Sequence, residues 1–247
     1  MKIISLSQIK DIITSDSVIA IGGFTINRKP ISIIKEIAES DAKNLTLYTL
    51  AGSLDIDLLA EKSKVKKIMA AYAGYEGLGI SKIVRRAVES GQVIFEDLTE
   101  ILYYSRLKAG AIGVPFIPTS SIIKSDIFHA NPSCKKIKNP FTGSELCAVK
   151  AINPDFSIIH AQKADRFGNI LIEEPDFCEK EMAQASKIRI FSVEKIVNRL
   201  KPSEITISNK FADYIIPIKK GAYPTGCYKN YLPDIKNILN YLIQNDK

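Results

Sequence analysis

The sequence predicts an α/β fold: an open, mostly parallel sheet flanked by helices. Short apolar runs of strand length alternate with amphipathic helical segments through the first half of the chain. Glycine and proline mark several of the junctions between them, as expected for tight connections. The 247 residues can bury a substantial core, and no convincing linker divides them. We therefore expect a single domain over residues 1–247.

The elements of the first half follow a strand–helix rhythm. Pro30 stands in the first turn of one helix, where proline is well tolerated, and Gly91 ends another. The predicted strands are Ser17–Gly22, Leu45–Leu50, Val65–Tyr72 and Val93–Phe95. The predicted helices are 6–14, Pro30–Ser40, Ile80–Glu89 and 99–112, with a further helical stretch between the second and third strands. This alternation is typical of a parallel sheet with helices on both faces.

The second half starts with a segment of weak periodicity, residues 115–150, in which proline, serine and lysine are frequent. We expect it to be irregular, with one or two short strands, and such long loops are usually functional or interfacial. Strand character then returns. The predicted elements are the strands Ser157–Ala161, Asn169–Glu173, Ile188–Val193 and Tyr214–Pro217 and the helix Leu232–Gln244.

Composition and charge exclude several classes of function. The net charge of +7 is compatible with an anionic partner, either nucleic acid or a phosphate-rich cofactor. The lysines are dispersed and not interleaved with aromatic residues, which favours a solvated face and predicts no nucleic-acid partner. No apolar run reaches the roughly 18 to 20 residues of a membrane helix, and the N-terminus has no signal-peptide pattern. We expect a cytoplasmic protein without a membrane partner.

The cysteines and histidines argue against a metal centre. The four cysteines contain no C-x-x-C pair, and the chain has only two histidines. Free buried thiols are the simplest interpretation of this pattern, because it fits neither a zinc site nor a disulfide framework. We therefore expect no metal.

The segment Gly22–Pro30 is the first candidate site. A glycine pair at a strand end permits positive φ and the close approach of a ligand to the backbone. Free amides in this loop, and at the start of the following helix, could face an anion or a developing oxyanion. Arg28 could pair with a carboxylate or phosphate in a bidentate way. The alternative is a tight turn with a solvated arginine.

Two further residues admit both a structural and a functional interpretation. Glu100 lies near a helix start, where a carboxylate usually interacts with the helix dipole or cap; a catalytic carboxylate is the alternative. His160 ends a strand whose alternation places it on one face with Ile158 and Gln162. It is either a site residue or a hydrogen-bonded, partly buried histidine.

Taken in order, the motifs resemble the α subunits of family I coenzyme A transferases, especially the glutaconate transferase-like branch. The resemblance extends from about residue 5 to residue 235. It rests on five segments: GGFTINRKP (22–30), RLKAGAIGVPFIPT (106–119), PFTG (140–143), NPDFSIIHAQKADRFGN (153–169) and GAYPT (221–225). The number and order of these segments argue against a match by chance.

The resemblance implies a fold of the NagB/RpiA/CoA transferase-like type and a homologous β subunit, in an αβ or α2β2 assembly. It also implies coenzyme A chemistry with acyl-CoA and carboxylic acid substrates. In such enzymes a glutamate attacks the thioester, forms a mixed anhydride and then a glutamyl-CoA thioester. That glutamate lies in the β subunit in most of the family, and no matching glutamate–glycine motif occurs in this chain.

The resemblance also assigns roles to individual residues. Three residues are expected to line the substrate cleft, and Arg28 is expected to bind an acyl carboxylate. The lining residues are Gly22, Gly23 and Phe24. A structural turn at the cleft edge or subunit interface is expected at Asp165, Gly168 and Asn169, and His160 is also expected at the cleft or interface.

Two alternative functions remain at this stage. A related branch of the family hydrolyses or opens cyclic CoA thioesters, and its catalytic α-subunit glutamate aligns with Glu100, which would be the general base. Relatives of this sheet also serve as ligand-sensing domains of regulators. Such a regulator should carry a DNA-reading helix-turn-helix, and the chain begins almost directly at the first strand, so we expect this alternative least.

Overall fold

The computed structural model describes residues 1–245. The strands are β1 Lys2–Ile3, β2 Val18–Phe24, β3 Leu45–Gly52, β4 Val65–Tyr75, β5 Gly79–Ile80, β6 Ile94–Asp97, β7 Phe116–Thr119, β8 Cys134–Lys138, β9 Glu145–Lys150, β10 Phe156–Asp165, β11 Ile170–Leu171, β12 Ile188–Val197 and β13 Tyr214–Pro217. The α-helices are α1 Ile9–Ile12, α2 Ile31–Ala38, α3 Leu54–Glu61, α4 Lys82–Glu89, α5 Glu100–Ile112, α6 Asp126–Ala130, α7 Glu179–Ala185 and α8 Ile235–Gln244.

One large sheet organises the chain. Its strands follow the order β1–β13–β12–β10–β2–β3–β4, and each neighbouring pair in this series is parallel. Strand β6 continues the parallel pairing along the first part of β4, and the short strands β5 and β11 are antiparallel additions. The predicted open, mostly parallel sheet is confirmed.

Helices cover both faces of this sheet. Along β2, Ile19 and Ile21 are buried in one apolar cluster, whereas Ala20 between them is buried in another. The first cluster includes Ile33 and Ile37 of α2, and the second includes Leu102 and Leu107 of α5. Central strands buried on both sides explain why the sequence shows continuous apolar runs here and no simple alternation.

The expectation of an irregular segment over residues 115–150 is wrong. Strands β7, β9 and β8 form a separate three-stranded antiparallel sheet, and α6 lies between β7 and β8. Cys134, Cys147 and Val149 of this sheet pack into the core cluster of α5. The sequence concealed it because exposed lysines in β8, such as Lys135 and Lys136, interrupt its apolar pattern.

Two predicted helix boundaries also need correction. The helix expected over residues 6–14 is a 3₁₀ turn, Leu6–Gln8, followed by the single turn of α1. The C-terminal helix begins at Ile235 and not at Leu232. Asp234 sets this start, because its side chain accepts the backbone N–H of Asn237 at 3.0 Å. None of the helices in the described part of the chain is long and apolar enough to cross a membrane.

Helix α5, which begins at Glu100, is fixed at both ends. The Thr99 hydroxyl caps it by accepting the backbone N–H of Leu102 at 3.1 Å, and Gly113, with φ +73°, ends it. Gly110 lies so close to the backbone of Ile152 that a Cβ at this position would overlap the Ile152 carbonyl oxygen. The close approach fixes the helix on the core.

We expect Leu107→Ala to destabilise the protein by about 2 to 5 kcal/mol, because it leaves a cavity under α5. Leu107 is fully buried, whereas Ile112 on the same helix is 57% exposed. The matched change Ile112→Ala should alter the free energy of unfolding by no more than about 0.5 kcal/mol. Urea unfolding of both variants is the measurement. Equal losses would contradict the placement of α5.

Candidate active site

A pocket of about 400 Å³ lies where β2 and β3 end. Parallel sheets of this kind bind ligands beyond the carboxyl ends of their strands. Phe24 and Glu100, two predicted site residues, both line this cavity, which we call the Glu100 pocket. Its lining residues are Phe24, Leu50, Glu100, Ile101, Tyr103, Tyr104, Asp176, Phe177 and Cys178.

One wall of the Glu100 pocket is formed by residues 176–178, the end of a segment over residues 173–178, the wall segment, which leads from β11 into α7. Its Phe177 ring stacks on Phe24, with centroids 4.9 Å apart and planes inclined by 20°. Cys178 ends the segment in a left-handed conformation, φ +70°, directly before α7. The opposite side of the pocket is the first turn of α5, where Glu100 is exposed.

The loop after β2 folds back on itself within three residues. Phe24 and Asn27 exchange backbone hydrogen bonds of 2.9 and 2.8 Å. Gly23 has φ +80°, and a Cβ there would lie 2.6 Å from the carbonyl oxygen of Arg28, so a side chain cannot be accommodated. Arg28 itself takes a positive φ of 53°. This strained turn directs the arginine inward.

The Arg28 side chain is fully buried and held by internal partners. Its Nη2 donates to Oε1 of Glu179 at 2.7 Å, and its Nη1 donates to the carbonyl oxygen of His160 at 3.0 Å. Nε lies 2.8 Å from Oε1 of Glu174, an ion-pair contact without hydrogen-bond alignment. Burial lowers the pKa of Arg28, but the two glutamates outweigh it, and the pKa stays above its ordinary value.

Glu179 is the central carboxylate of this cluster. Its Oε1 accepts the N–H of Gly23 at 3.0 Å, and its Oε2 accepts the N–H of Phe177 at 2.5 Å. Burial raises the pKa of Glu179, but Arg28 and these hydrogen bonds outweigh it and bring the pKa below its ordinary value. Gly22 leaves room for the side chain, since a Cβ there would lie 3.1 Å from the Glu179 Cγ.

The expectation of free amides in the Gly22–Pro30 loop is therefore wrong, because most of its backbone N–H groups have partners within the protein. The N–H of Gly23 binds Glu179, and the N–H of Phe24 binds Asn27. The alternative of a solvated arginine is also wrong, because Arg28 is buried. Direct substrate binding by Gly22, Gly23, Phe24 and Arg28 stays a prediction.

Asp176 is a pocket residue that the sequence analysis missed. Its Oδ1 accepts the backbone N–H of Glu179 at 2.7 Å, and its carboxyl group lies within hydrogen-bonding reach of the Glu179 carboxylate. Asp176 is an exposed residue, but local desolvation of its carboxyl group and this anionic neighbour raise its pKa above the ordinary value. The dense acidic run that follows a strand, EEPDFCE from residue 173, was the available signal.

His160 lies in the interior, behind Arg28. Its Nδ1 is 2.8 Å from Ser192 Oγ, and its Nε2 is 3.0 Å from Glu194 Oε1. Burial lowers its pKa despite the neighbouring Glu194. The structure thus shows the fully hydrogen-bonded histidine that was one of the two alternatives. A role for His160 at the cleft or interface stays a prediction.

One group in the described chain has metal-ligand chemistry. Ligand atoms of His160, Glu194 and Cys227 all lie within 4.8 Å of one another. Glu194 Oε1 contacts His160 and also accepts a hydrogen bond from the Tyr231 hydroxyl at 2.7 Å. His160 and Glu194 thus have hydrogen-bond partners within the protein. The expected absence of a metal stays a prediction.

Asp165, Gly168 and Asn169 build the turn between β10 and β11. Asp165 Oδ1 accepts the N–H of Asn169 at 2.9 Å, and its Oδ2 accepts the Asn169 side-chain amide at 2.9 Å. Burial raises the pKa of Asp165, but the hydrogen bonds outweigh it and lower the pKa. Gly168 supplies φ +93°. The turn is structural; its location at a subunit interface stays a prediction.

The fold and pocket define the class: an α/β protein with a cavity at the carboxyl edge of a parallel sheet. Residues 6–217 match the coenzyme A transferase family. Because this match covers most of the chain, the protein belongs to that family, and the resemblance is confirmed.

Individual relatives give the same picture. The chain is 37% identical over 188 residues to a 3-oxoadipate CoA-transferase subunit of Pseudomonas knackmussii, covering 74% of this chain and 65% of that one. It is 30% identical over 234 residues to a glutaconate CoA-transferase subunit of Acidaminococcus fermentans, covering 86% and 73%. The crystal structure of the glutaconate CoA-transferase from that bacterium superposes with a TM-score of 0.93 at 28% identity, covering 100% and 85%.

A more distant relative has a different reaction in its name. The cholesterol ring-cleaving hydrolase IpdA subunit of Rhodococcus jostii is 25% identical over 252 residues, covering 95% of this chain and 84% of that one. The chain spans 65% of the length of the Pseudomonas relative and 51% of the length of a further curated relative from Archaeoglobus fulgidus. Family membership therefore does not by itself fix the reaction.

We expect Arg28→Met to destabilise the protein by about 3 to 5 kcal/mol, because it leaves Glu174 and Glu179 buried without their cation. The loss should be larger at pH 7 than at pH 4. In the native protein the lowered pKa of Glu179 contributes stability above its ordinary value of 4.5; without Arg28, burial raises that pKa and an ionised Glu179 becomes costly.

Urea unfolding at the two pH values measures this difference. The control is Arg85→Met, which removes an exposed pair with Glu89 and should cost no more than about 1 kcal/mol at either pH. A loss of the same small size for Arg28→Met would show that the buried cluster does not stabilise the fold.

Proposed function

We propose that the chain is the α subunit of a two-subunit coenzyme A transferase, which moves coenzyme A between an acyl-CoA and a carboxylic acid. The observation that carries this proposal is the Glu100 pocket at the carboxyl edge of the sheet, in a chain of the coenzyme A transferase family. Two relatives of 30% and 37% identity are named as subunits of such transferases.

The partner in this proposal is a homologous β subunit, in an αβ or α2β2 assembly, that provides the nucleophilic glutamate. That glutamate attacks the acyl-CoA thioester, and the coenzyme A thiolate leaves. The thiolate then attacks the resulting anhydride, releasing the donor acid and giving a glutamyl-CoA thioester, from which coenzyme A passes to the acceptor acid. The +7 charge of the chain suits the phosphate-rich coenzyme A. We also propose a cytoplasmic location.

The α chain then provides a cleft wall. Phe24 lines the pocket directly, whereas Gly22 acts on it by leaving room for Glu179 and Gly23 by donating its N–H to that carboxylate. Arg28 supports the same wall through Glu179 and Glu174, and its direct contact with an acyl carboxylate, which the resemblance implies, stays a prediction. The turn of Asp165, Gly168 and Asn169 is proposed to stabilise the cleft edge.

A second candidate function is hydrolysis of a CoA thioester, with Glu100 as general base. The observation in its favour is that Glu100 is exposed in the pocket and capped into position at the start of α5. The carboxylate takes a proton from water as the water oxygen adds to the thioester carbonyl. The carbon–sulfur bond then breaks, and a carboxylic acid and coenzyme A leave.

A purified complex of this chain with its β subunit, supplied with a panel of acyl-CoA thioesters, tests the first proposal. We expect a new acyl-CoA only when an acceptor acid is added, and no turnover by either chain alone. Chromatography of CoA esters and a free-thiol assay measure both products. A complex that binds acyl-CoA without turning it over would have a ligand-sensing role instead.

Glu100→Gln separates the two reactions. If water is the acceptor, we expect thiol release without an added acid, and a loss on the order of 100-fold in the variant, because a positioned general base contributes about that much. If the nucleophile lies in the β subunit, Glu100→Gln should retain most of the transfer rate. Glu145→Gln, an exposed change on the separate sheet, is the matched control.

A further inference from the structure

Only one of the described residues that line the Glu100 pocket is buried. This residue is Tyr103, which is 1% exposed, whereas the other lining residues are partly or fully exposed, Glu100 and Asp176 among them. Tyr103 follows Glu100 by three positions in α5, so the two side chains share one face of the helix. A ligand in the pocket therefore meets Glu100 at the exposed rim and Tyr103 at the floor.

The core holds the Tyr103 ring in place. The ring stacks on Tyr48, with centroids 4.8 Å apart and planes inclined by 12°. The Tyr48 hydroxyl donates to the backbone carbonyl oxygen of Tyr103 at 2.9 Å, and the Arg106 guanidinium lies 5.6 Å from the centroid of the Tyr48 ring. Both tyrosines belong to one buried apolar cluster, so the position of the Tyr103 hydroxyl is fixed before a ligand binds.

The Tyr103 hydroxyl nevertheless has no hydrogen-bond partner in the described part of the chain. A buried tyrosine hydroxyl usually has one, because an unpaired buried donor destabilises the protein. Burial raises the pKa of Tyr103 well above its ordinary value, and the neighbouring Tyr48, Cys178, Glu179 and Asp176 raise it further. Cys178 and Asp176 line the opposite wall. The hydroxyl therefore extends from α5 toward that wall.

The other side chains of the pocket indicate which group this donor would bind. Glu100 and Asp176 are acidic, and none of the described lining residues is a lysine or an arginine. Such a lining disfavours a phosphate or a carboxylate, because like charges repel. The remaining lining is mostly apolar and aromatic, which suits an uncharged acyl group whose carbonyl oxygen needs one well-placed donor.

We propose that the Tyr103 hydroxyl donates a hydrogen bond to the carbonyl oxygen of an acyl-CoA thioester bound in the Glu100 pocket. The inference rests on the proposed function and adds a catalytic residue to it. When the nucleophile adds to the carbonyl carbon, an electron pair of the C=O bond moves to this oxygen, and the hydrogen bond strengthens. The C=O bond forms again as the carbon–sulfur bond breaks and the thiolate leaves. The proton stays on Tyr103 throughout, since a tyrosine is neutral at pH 7.

Tyr103→Phe, in the complex of this chain with its β subunit, removes the donor and keeps the ring. We expect the transfer rate to fall on the order of 100-fold, as it does when other oxyanion donors are removed. The melting temperature of the complex should stay the same or rise, because the lost hydroxyl has no partner in the described chain. Tyr48→Phe should lower it, because that hydroxyl is hydrogen-bonded. Tyr228→Phe, an exposed control outside this pocket, should alter neither quantity.

A pair of CoA analogues tests the contact without turnover. A CoA ketone keeps the carbonyl oxygen and has CH₂ in place of the thioester sulfur. An S-alkyl-CoA of the same chain length keeps the sulfur and has CH₂ in place of the carbonyl group. In calorimetric titrations of the complex, Tyr103→Phe should weaken binding of the ketone about fivefold, as expected for one neutral hydrogen bond, and leave binding of the S-alkyl-CoA unchanged.

The outcomes distinguish this inference from the proposed function. An unchanged transfer rate in Tyr103→Phe, equal losses for the two analogues, or a fall in melting temperature like that of Tyr48→Phe would overturn the role of Tyr103 and leave the transferase standing. Absence of turnover with every acyl-CoA would overturn the proposed function. The analogue pair still decides the inference in that case: weaker binding of the ketone alone would support the contact, and unchanged ketone binding would overturn it.

Discussion

A single buried guanidinium connects the parts of the molecule that form the pocket. Arg28 follows β2, contacts the carbonyl of His160 in β10, and pairs with Glu174 in the wall segment and Glu179 in α7. A buried charge is stable only when its partners are in place, so these elements must come together or not at all. One cation between two carboxylates leaves negative charge in excess.

The glycine pair contributes to this arrangement because it leaves room for neighbouring groups, and not because it exposes amides. Gly22 admits the Glu179 side chain, and Gly23 permits the turn that sends Arg28 inward. A side chain at Gly22 would crowd the Glu179 side chain, and one at Gly23 would collide with the Arg28 carbonyl. The loop thus resembles an anion-binding loop in its chemistry, but the anion is part of the protein. The pocket begins one residue later, where Phe24 meets Phe177.

Local sequence patterns were sufficient for the main sheet. The family resemblance, and not a local pattern, named Phe24 and Glu100, which the structure brings to one pocket. Local patterns could not supply the partners of Arg28, because His160 and Glu179 lie 132 and 151 residues further along the chain. The antiparallel sheet of β7–β9 was missed for a related reason: its apolar residues pack on the core of α5, while its lysines dominate the local pattern.

Access of water to the pocket distinguishes the two candidate reactions more clearly than the identity of any one side chain. Ile101 and Tyr104 line the pocket on α5 and are 45% and 41% exposed in this chain. An apolar rim of this kind stays wet unless another surface covers it. A β subunit seated there would exclude water and preserve a reactive anhydride for the returning thiolate, whereas an open rim would favour hydrolysis.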